Sequence, residues 1–275
     1  MKEAMIHEKK DDKKVDHPDE ACVRMAALIG QELLPKIVPS IEGADISGWT
    51  LFSHTLGGDF FDYHDFSGVC CQAETKMKIV VGDACGHGLC SALVMTSTRS
   101  YLRARAMQPG DLPQVVNDVN RLLYMDLQAN GHFVTLFYAL IDTRARKIEW
   151  VRAGHPPALL FDPLTRECIT LQGTGVALGI DPQQKYQKNC RANLQDGTII
   201  LIGSDGLWEL PSGEDDLTTQ QIVIDLVLQH RHDNAVTIAE AVKNVVNERG
   251  RVAPLDDDVT LIVVKFGPSV QEVPG

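Results

Sequence analysis

Met77-Lys78-Ile79-Val80-Val81-Gly82-Asp83-Ala84-Cys85-Gly86-His87-Gly88 is the stretch on which the fold turns. Met77 to Val81 is an apolar run of strand length whose residues lead into Asp83. The second half is spaced by glycines, and from Gly88 to Ala106 the pattern changes to a helix that is apolar on one side. A strand that delivers an acid into a glycine-rich loop is where sites are built.

The arrangement recurs three times. Gly57-Gly58-Asp59-Phe60-Phe61-Asp62 follows the alternating segment Ile46 to His54, and Gly203-Ser204-Asp205-Gly206-Leu207-Trp208 follows the apolar run Thr198 to Ile202. Asp256-Asp257-Asp258-Val259-Thr260 opens a last strand, Val259 to Phe266. Carboxylates are hard oxygen donors, and several of them gathered without Cys or His suit Mg²⁺ or Mn²⁺ rather than Zn²⁺. Two carboxylates about 4 Å apart repel by roughly 4 kcal/mol at an effective dielectric of 20, so such a cluster needs protons or cations near neutral pH. The glycines around Asp59 and Asp83 leave room for backbone to approach an ion or a phosphoryl oxygen, and the Ala84 carbonyl is a further candidate ligand. Any one of these stations reads equally well as a turn. Four together point to one site and to phosphate chemistry.

Outward from these stations the elements fall in blocks. Pro18 suits a first helical turn, and Cys22, Ala26, Ile29 and Leu33 follow at helical spacing in a helix that ends near Pro35. Asp111 caps a helix with the stripe Val115, Val119, Leu122 and Leu123. From His132 the signal is β-rich: Phe133 to Ile141, Lys147 to Arg152, Ala158 to Phe161, Cys168 to Leu171 and Thr198 to Ile202, joined by turns at Asp142-Thr143-Arg144 and Asp162-Pro163. Helices over Thr218 to Gln229 and Val236 to Glu248 precede the last strand. Blocks of strands and helices, rather than strict alternation, predict an α+β class with antiparallel sheets packed together under helices.

The chain of 275 residues is 44% hydrophobic, with 26 basic and 37 acidic residues and a net charge of -11. That balance argues against non-specific binding to nucleic acid or an anionic membrane and for a protein partner. Seven cysteines without paired Cys-x-x-Cys spacing suggest neither a disulfide framework nor a zinc ribbon, and most are read as reduced core residues. The charged N-terminus and the lack of an apolar run near membrane-spanning length predict a cytoplasmic protein.

Taken in order and spacing, the four stations together with Ala153-Gly154-His155-Pro156-Pro157 resemble the bacterial PPM (protein phosphatase 2C-like) serine/threonine phosphatases of the SpoIIE type. Gln31-Glu32-Leu33-Leu34-Pro35 resembles the segment that leads into that domain. The resemblance spans roughly Ala21 to Phe266. It implies a four-layer α/β/β/α sandwich, two central antiparallel sheets flanked by helices. It also implies hydrolysis of phosphoserine or phosphothreonine in a protein by a water activated between two Mn²⁺ or Mg²⁺ ions, with an anti-anti-sigma-type regulatory protein as the usual substrate. By position, Asp83 bridges both metals, Asp59 and the Ala84 carbonyl hold one, and Asp205 and Asp257 hold the other, with Asp258 as the neighbouring alternative to Asp257. The implied organisation is a tail over residues 1–16, a linker helix over 17–40, the catalytic domain over 41–268 and a loose end over 269–275.

Other residues admit functional and structural readings. Asp62 is expected to ligate through water or to hold Asp59 in place, with a plain turn acid as the structural reading. His87 is placed either to protonate the leaving oxygen or to fix the Asp83 loop. His155 is read as shaping a tight loop, Trp208 as core, and Cys85 and Cys90 as inert thiols beside the site. The first helix is either ordinary core or the place where a second copy or an activator docks. Two other functions were weighed. One is a binding module that keeps the fold without catalysis, against which all the ligand positions are acidic. The other is a diguanylate cyclase, whose signature Gly57 to Phe61 superficially resembles, except that Phe60 stands where that signature carries an acid.

Overall fold

The computed structural model describes residues 20–64, 75–210 and 218–268. The expected tail and the loose end lie outside them. The elements in chain order are α1 (Glu20–Leu33), β1 (Ala44–Leu51), β2 (Asp59–His64), β3 (Lys76–Ala84), α2 (Leu89–Ala106), α3 (Leu112–Leu127), β4 (Val134–Asp142), β5 (Lys147–Ala153), β6 (Ala158–Asp162), β7 (Glu167–Leu171), β8 (Asn189–Arg191), β9 (Ile199–Gly203), α4 (Asp205–Trp208), α5 (Thr219–Gln229), α6 (Ala235–Val252) and β10 (Val259–Phe266). They form two antiparallel five-stranded sheets with strand orders β1-β10-β9-β6-β7 and β2-β3-β4-β5-β8.

Period-2 alternation sorts each strand into two cores. Phe61, Tyr63, Ile79, Val81, Phe137 and Ala139 from one sheet meet Ile46, Leu160, Ile200, Ile202, Ile262 and Val264 from the other in a continuous apolar layer between them. Phe60, Val80, Leu136 and Tyr138 point the other way, against Met95 and Leu102 of α2 and Val115, Val119 and Leu123 of α3. Trp49, Leu201, Leu261 and Val263 pack on Val223 and Val227 of α5 and on Ile238, Val242 and Val246 of α6. Four layers, α/β/β/α, follow, as the sequence predicts.

Local signals seat the helices. Asp111 accepts from the Gln114 backbone N–H while the Gln114 side chain accepts from the Asp111 N–H, a reciprocal capping box before α3. Thr218 and Asn234 cap α5 and α6 through their side-chain oxygens. Helix α1 lies on α2, with Ala27 buried against Leu56 and Ala92, while Met25, Leu28 and Ile29 are exposed. Among the described residues no helix is long and apolar enough to cross a membrane.

Two expectations need correction. The sequence reading had Asp59 ending the strand from Ile46, whereas β1 stops at Leu51 and Asp59 opens a separate strand, β2. All six residues of β2 are buried, on both faces, so the alternation that announces a strand is lost. The described cysteines are free, as expected, but they are not core: Cys22, Cys90 and Cys190 are exposed, and Cys85 and Cys168 are half-buried.

Candidate active site

The acids converge at one end of the sandwich. Asp59, first in β2, is the register partner of Asp83 near the end of β3, and such antiparallel partners have Cα atoms about 5 Å apart. The backbone N–H of Asp59 lies 3.5 Å from Asp258 Oδ2. The other sheet contributes Asp205, which opens α4 directly after β9, and Asp257 and Asp258, which lead into β10. Each acid sits at a strand end because there the side chain leaves the apolar layer while the ladder still fixes its backbone.

Hydroxyls hold the cluster in register. Ser204 Oγ donates to Asp59 Oδ2 at 2.7 Å and accepts from the Thr260 N–H at 3.0 Å, which ties the two sheets together at this end. Ser53 donates both its N–H, at 2.9 Å, and its hydroxyl, at 3.1 Å, to Asp258 Oδ1. Glycines keep the approach open: a Cβ on Gly58 would overlap the Ala84 carbonyl oxygen, one on Gly57 the Asp258 carboxylate, and one on Gly206 the Asp258 carbonyl.

The electrostatics are one-sided. Burial, then the charge of Asp83, pushes the Asp59 carboxyl well above its ordinary range, with the Ser204 hydrogen bond opposing. Burial, then Asp205, Asp257 and Asp258, pushes Asp83 up to about 7. Asp257 is raised as well, by burial first and then by Asp205, Asp258 and Glu209. Among the described residues, the neighbouring charges that chiefly shift these three acids are all negative. Among the described residues no three such side chains already stand arranged to hold a metal ion. Asp59 and Asp258 are engaged by hydroxyls instead. The donor set nevertheless fits hard divalent cations: it is all oxygen, mutually repelling, and cradled by glycines.

The run Asp256 to Asp258 divides its work. Asp258 is 4% exposed and turns inward to Ser53 and the Asp59 backbone. Asp257 is exposed and stands by Gly206, next to Asp205. His87 is exposed at the mouth and stacks on His54, with ring centroids 5.3 Å apart. Gly86 and Gly88 on either side of it have φ of 86° and 80°, which only glycine adopts without strain.

Asp62 does not support Asp59. Three residues along a strand puts it on the opposite face, under α2. There its carboxylate receives Arg103 Nη1 at 2.8 and 3.0 Å and stands 3.0 Å from Arg99 Nε. The sequence reading missed both arginines as partners, although they lie four residues apart on one helix face.

His155 does more than shape a loop. It is fully buried, its Nδ1 lies 2.8 Å from the hydroxyl of Thr135, the register partner of Asp83, and its Nε2 faces the Gly203 carbonyl in β9 without closing a well-aligned hydrogen bond. Burial lowers its pKa to about 3, so it is a neutral link between the sheets beside the acids. Trp208 packs against the core under α5 and α6, as expected.

Comparison with known proteins agrees with this architecture. The chain is 26% identical over 246 residues to the phosphoserine phosphatase RsbU of Bacillus subtilis (strain 168), covering 88% of this chain and 69% of that protein. It is 25% identical over 215 residues to RsbP, a phosphoserine phosphatase of the same organism, covering 77% of this chain and 50% of that one. In three dimensions it matches the SiaA-PP2C domain of Pseudomonas aeruginosa with a TM-score of 0.75 at 20% identity, over 90% of this chain and 96% of that one. The Stage II sporulation protein E (SpoIIE) family matches residues 73–267, more than half of the chain and three of its four acidic stations, and the protein belongs to that family.

Proposed function

We propose that this protein is a metal-dependent protein serine/threonine phosphatase. It hydrolyses phosphoserine or phosphothreonine on a regulatory protein, of the anti-anti-sigma kind used in partner switching. The observation that carries the reading is the convergence of Asp59, Asp83, Asp205, Asp257 and Asp258 from both sheets, where among the described residues the charges that chiefly shift the perturbed acids are negative. A structural cluster would carry its own counter-ions, whereas this one requires cations from outside. The naming of two relatives as phosphoserine phosphatases supports the substrate class.

In this reading Asp59, Asp83, the Ala84 carbonyl, Asp205 and Asp257 would hold two cations, Mn²⁺ or Mg²⁺, with Asp258 as the neighbouring alternative to Asp257. When bound, the pair supplies a more acidic water and neutralises charge on the phosphoryl oxygens. The chain's own part is to place its carboxylates from opposed strand ends, to fix Asp59 through Ser204 and Asp258 through Ser53, and to leave the approach clear at Gly57 and Gly58. Water oxygen adds to phosphorus as the seryl oxygen leaves with a proton, giving serine and inorganic phosphate. His87, stacked on His54, holds the mouth of the Asp83 loop. The exposed face of α1, with Met25, Leu28 and Ile29, is where we place contact with a second copy or an activator.

The test is turnover of p-nitrophenyl phosphate with Mn²⁺, with and without chelator. Metal-dependent hydrolysis is expected. Silence, together with tight binding of a partner protein, would replace this reading with the non-catalytic binding module.

A further inference from the structure

A cleft of about 390 Å³ reaches from Asp205, in the acid cluster, away across α4. That volume lies within the range of ligand pockets, roughly 300–1,000 Å³. Its walls are Pro156, Pro157, Leu159 and Trp208, and Glu209 lies on its rim. We infer that this cleft receives an aliphatic side chain, such as leucine or methionine, that flanks the phosphorylated residue of the protein substrate. The inference rests on the phosphatase reading and names what else that site grips.

Continuity comes first. Asp205 belongs both to the acid cluster and to the cleft, so a phosphorylated side chain at the acids brings its neighbours to the cleft mouth. An extended chain advances about 3.3 Å per residue, which places the occupant within about three residues of the phosphorylated one.

The walls then choose the chemistry. Pro156 and Pro157 have no backbone N–H, and the only donor of the Trp208 ring, Nε1, is turned toward the Gly203 carbonyl at 3.4 Å. What these three residues offer an occupant is therefore mostly carbon. Glu209 is exposed, and among the described residues no cation forms an ion pair with it. An acidic occupant is disfavoured. Between a basic and an aliphatic one, magnitude decides: full burial of a leucine or methionine side chain contributes roughly tenfold to a hundredfold in affinity. An exposed ion pair to Glu209 contributes less than about fivefold.

The experiment uses the full chain with Mn²⁺, p-nitrophenyl phosphate, and phosphoserine peptides that carry Leu, Ala, Glu or Lys in turn at each position within three residues of the phosphoserine. The expected result is one position at which kcat/KM with Leu exceeds that with Ala by about tenfold or more, and with Glu falls below Ala. Gln220→Trp on α5 and Thr170→Trp on β7, both at exposed lining positions, should each bring the Leu-to-Ala ratio near one. A ratio taken on one enzyme cancels losses of folded protein or metal. A ratio near one at every position in the unmodified enzyme, or Lys exceeding Leu, overturns the inference while metal-dependent turnover of p-nitrophenyl phosphate leaves the phosphatase reading standing. No hydrolysis of either substrate overturns the phosphatase reading and this inference with it.

Discussion

Asp59 and Asp62 stand three residues apart on one strand, each 1% exposed, and keep opposite company. Asp62 faces α2 and is met by Arg99 and Arg103. Asp59 faces the end of the sandwich and meets Asp83 and Asp258. A buried carboxylate with guanidinium partners is a joint that the chain completes by itself, here fastening α2 to β2. A buried carboxylate among carboxylates is incomplete, and folding tolerates it only by holding protons or recruiting cations. The contrast separates an acid that the fold has paired from one that it has left among like charges, without reference to any relative.

The sharpest way to break the contrast is to neutralise one acid on each side. Asp83→Asn should lower Mn²⁺-dependent turnover by about 10³-fold, near 4 kcal/mol, as expected for removing a group that supports charge in the transition state. The same change should leave the melting temperature of the chelated protein unchanged or raised, because it relieves repulsion. Retained activity would sink the assignment. Asp62→Ala should do the reverse: it leaves two arginines without their carboxylate and should cost about 3–5 kcal/mol of stability, roughly 10 °C in melting temperature. If Asp62→Ala melts like the unmodified protein, the arginine joint is not holding the helix.

Acid titration tests the same contrast with a smaller effect. Asp83 is raised to about 7 and Asp59 is raised too, so between about pH 4 and pH 7 the native state holds protons that the unfolded chain has released. Stability therefore falls as pH rises through that window, with a slope approaching about 1.4 kcal/mol per pH unit for each proton held. In chelator the melting temperature should drop from pH 5 to pH 7.5, and Asp83→Asn should flatten the drop. The gain on adding Mn²⁺ should be larger at pH 7.5 than at pH 5.5, since cations and protons compete for the same oxygens. A gain independent of pH would place the cations elsewhere.

The fold was legible wherever one period dominated. The Met77 to Val81 run, the one-sided helix after Gly88 and the meander from Phe133 each declared themselves, their blocks gave the α+β class, and the layer order came from the family resemblance. β2 was not legible as a strand, because Asp59-Phe60-Phe61-Asp62-Tyr63-His64 is buried on both faces and shows neither alternation nor a continuous apolar run. For the same reason the sequence could not say that Asp59 and Asp62 face apart. Glycine-flanked acids marked Asp59, Asp83 and Asp205, because close approach needs glycine whatever the global fold. The residues that orient them, Ser53, Ser204, Thr135 and His155, are common types whose partners lie far away in the chain, and only the sheet register reveals them.

His155 stands between the two kinds of acid, buried like Asp59 but neutral, and it supplies the smallest test. Its Nδ1 meets Thr135, on the strand paired with the one that carries Asp83, and it lies beside Gly203 at the end of the strand that leads into Asp205. Its pKa of about 3 lies below the ordinary histidine value, so the stability it contributes is complete above about pH 6.5 and is lost as pH falls toward 3. His155→Ala should cost about 1–3 kcal/mol and Thr135→Val about 1 kcal/mol at pH 7.5. If the pair is a link rather than two separate packing contacts, the double variant should lose less than the sum, by at least about 0.5 kcal/mol. The same non-additivity should appear in the Mn²⁺ concentration needed for half-maximal turnover, since both changes loosen one distance, that between the Asp83 and Asp205 strand ends. Additive losses in stability, with an unmoved Mn²⁺ requirement, would reduce His155 to core packing and leave Ser204 as the tie between the sheets at the acid end.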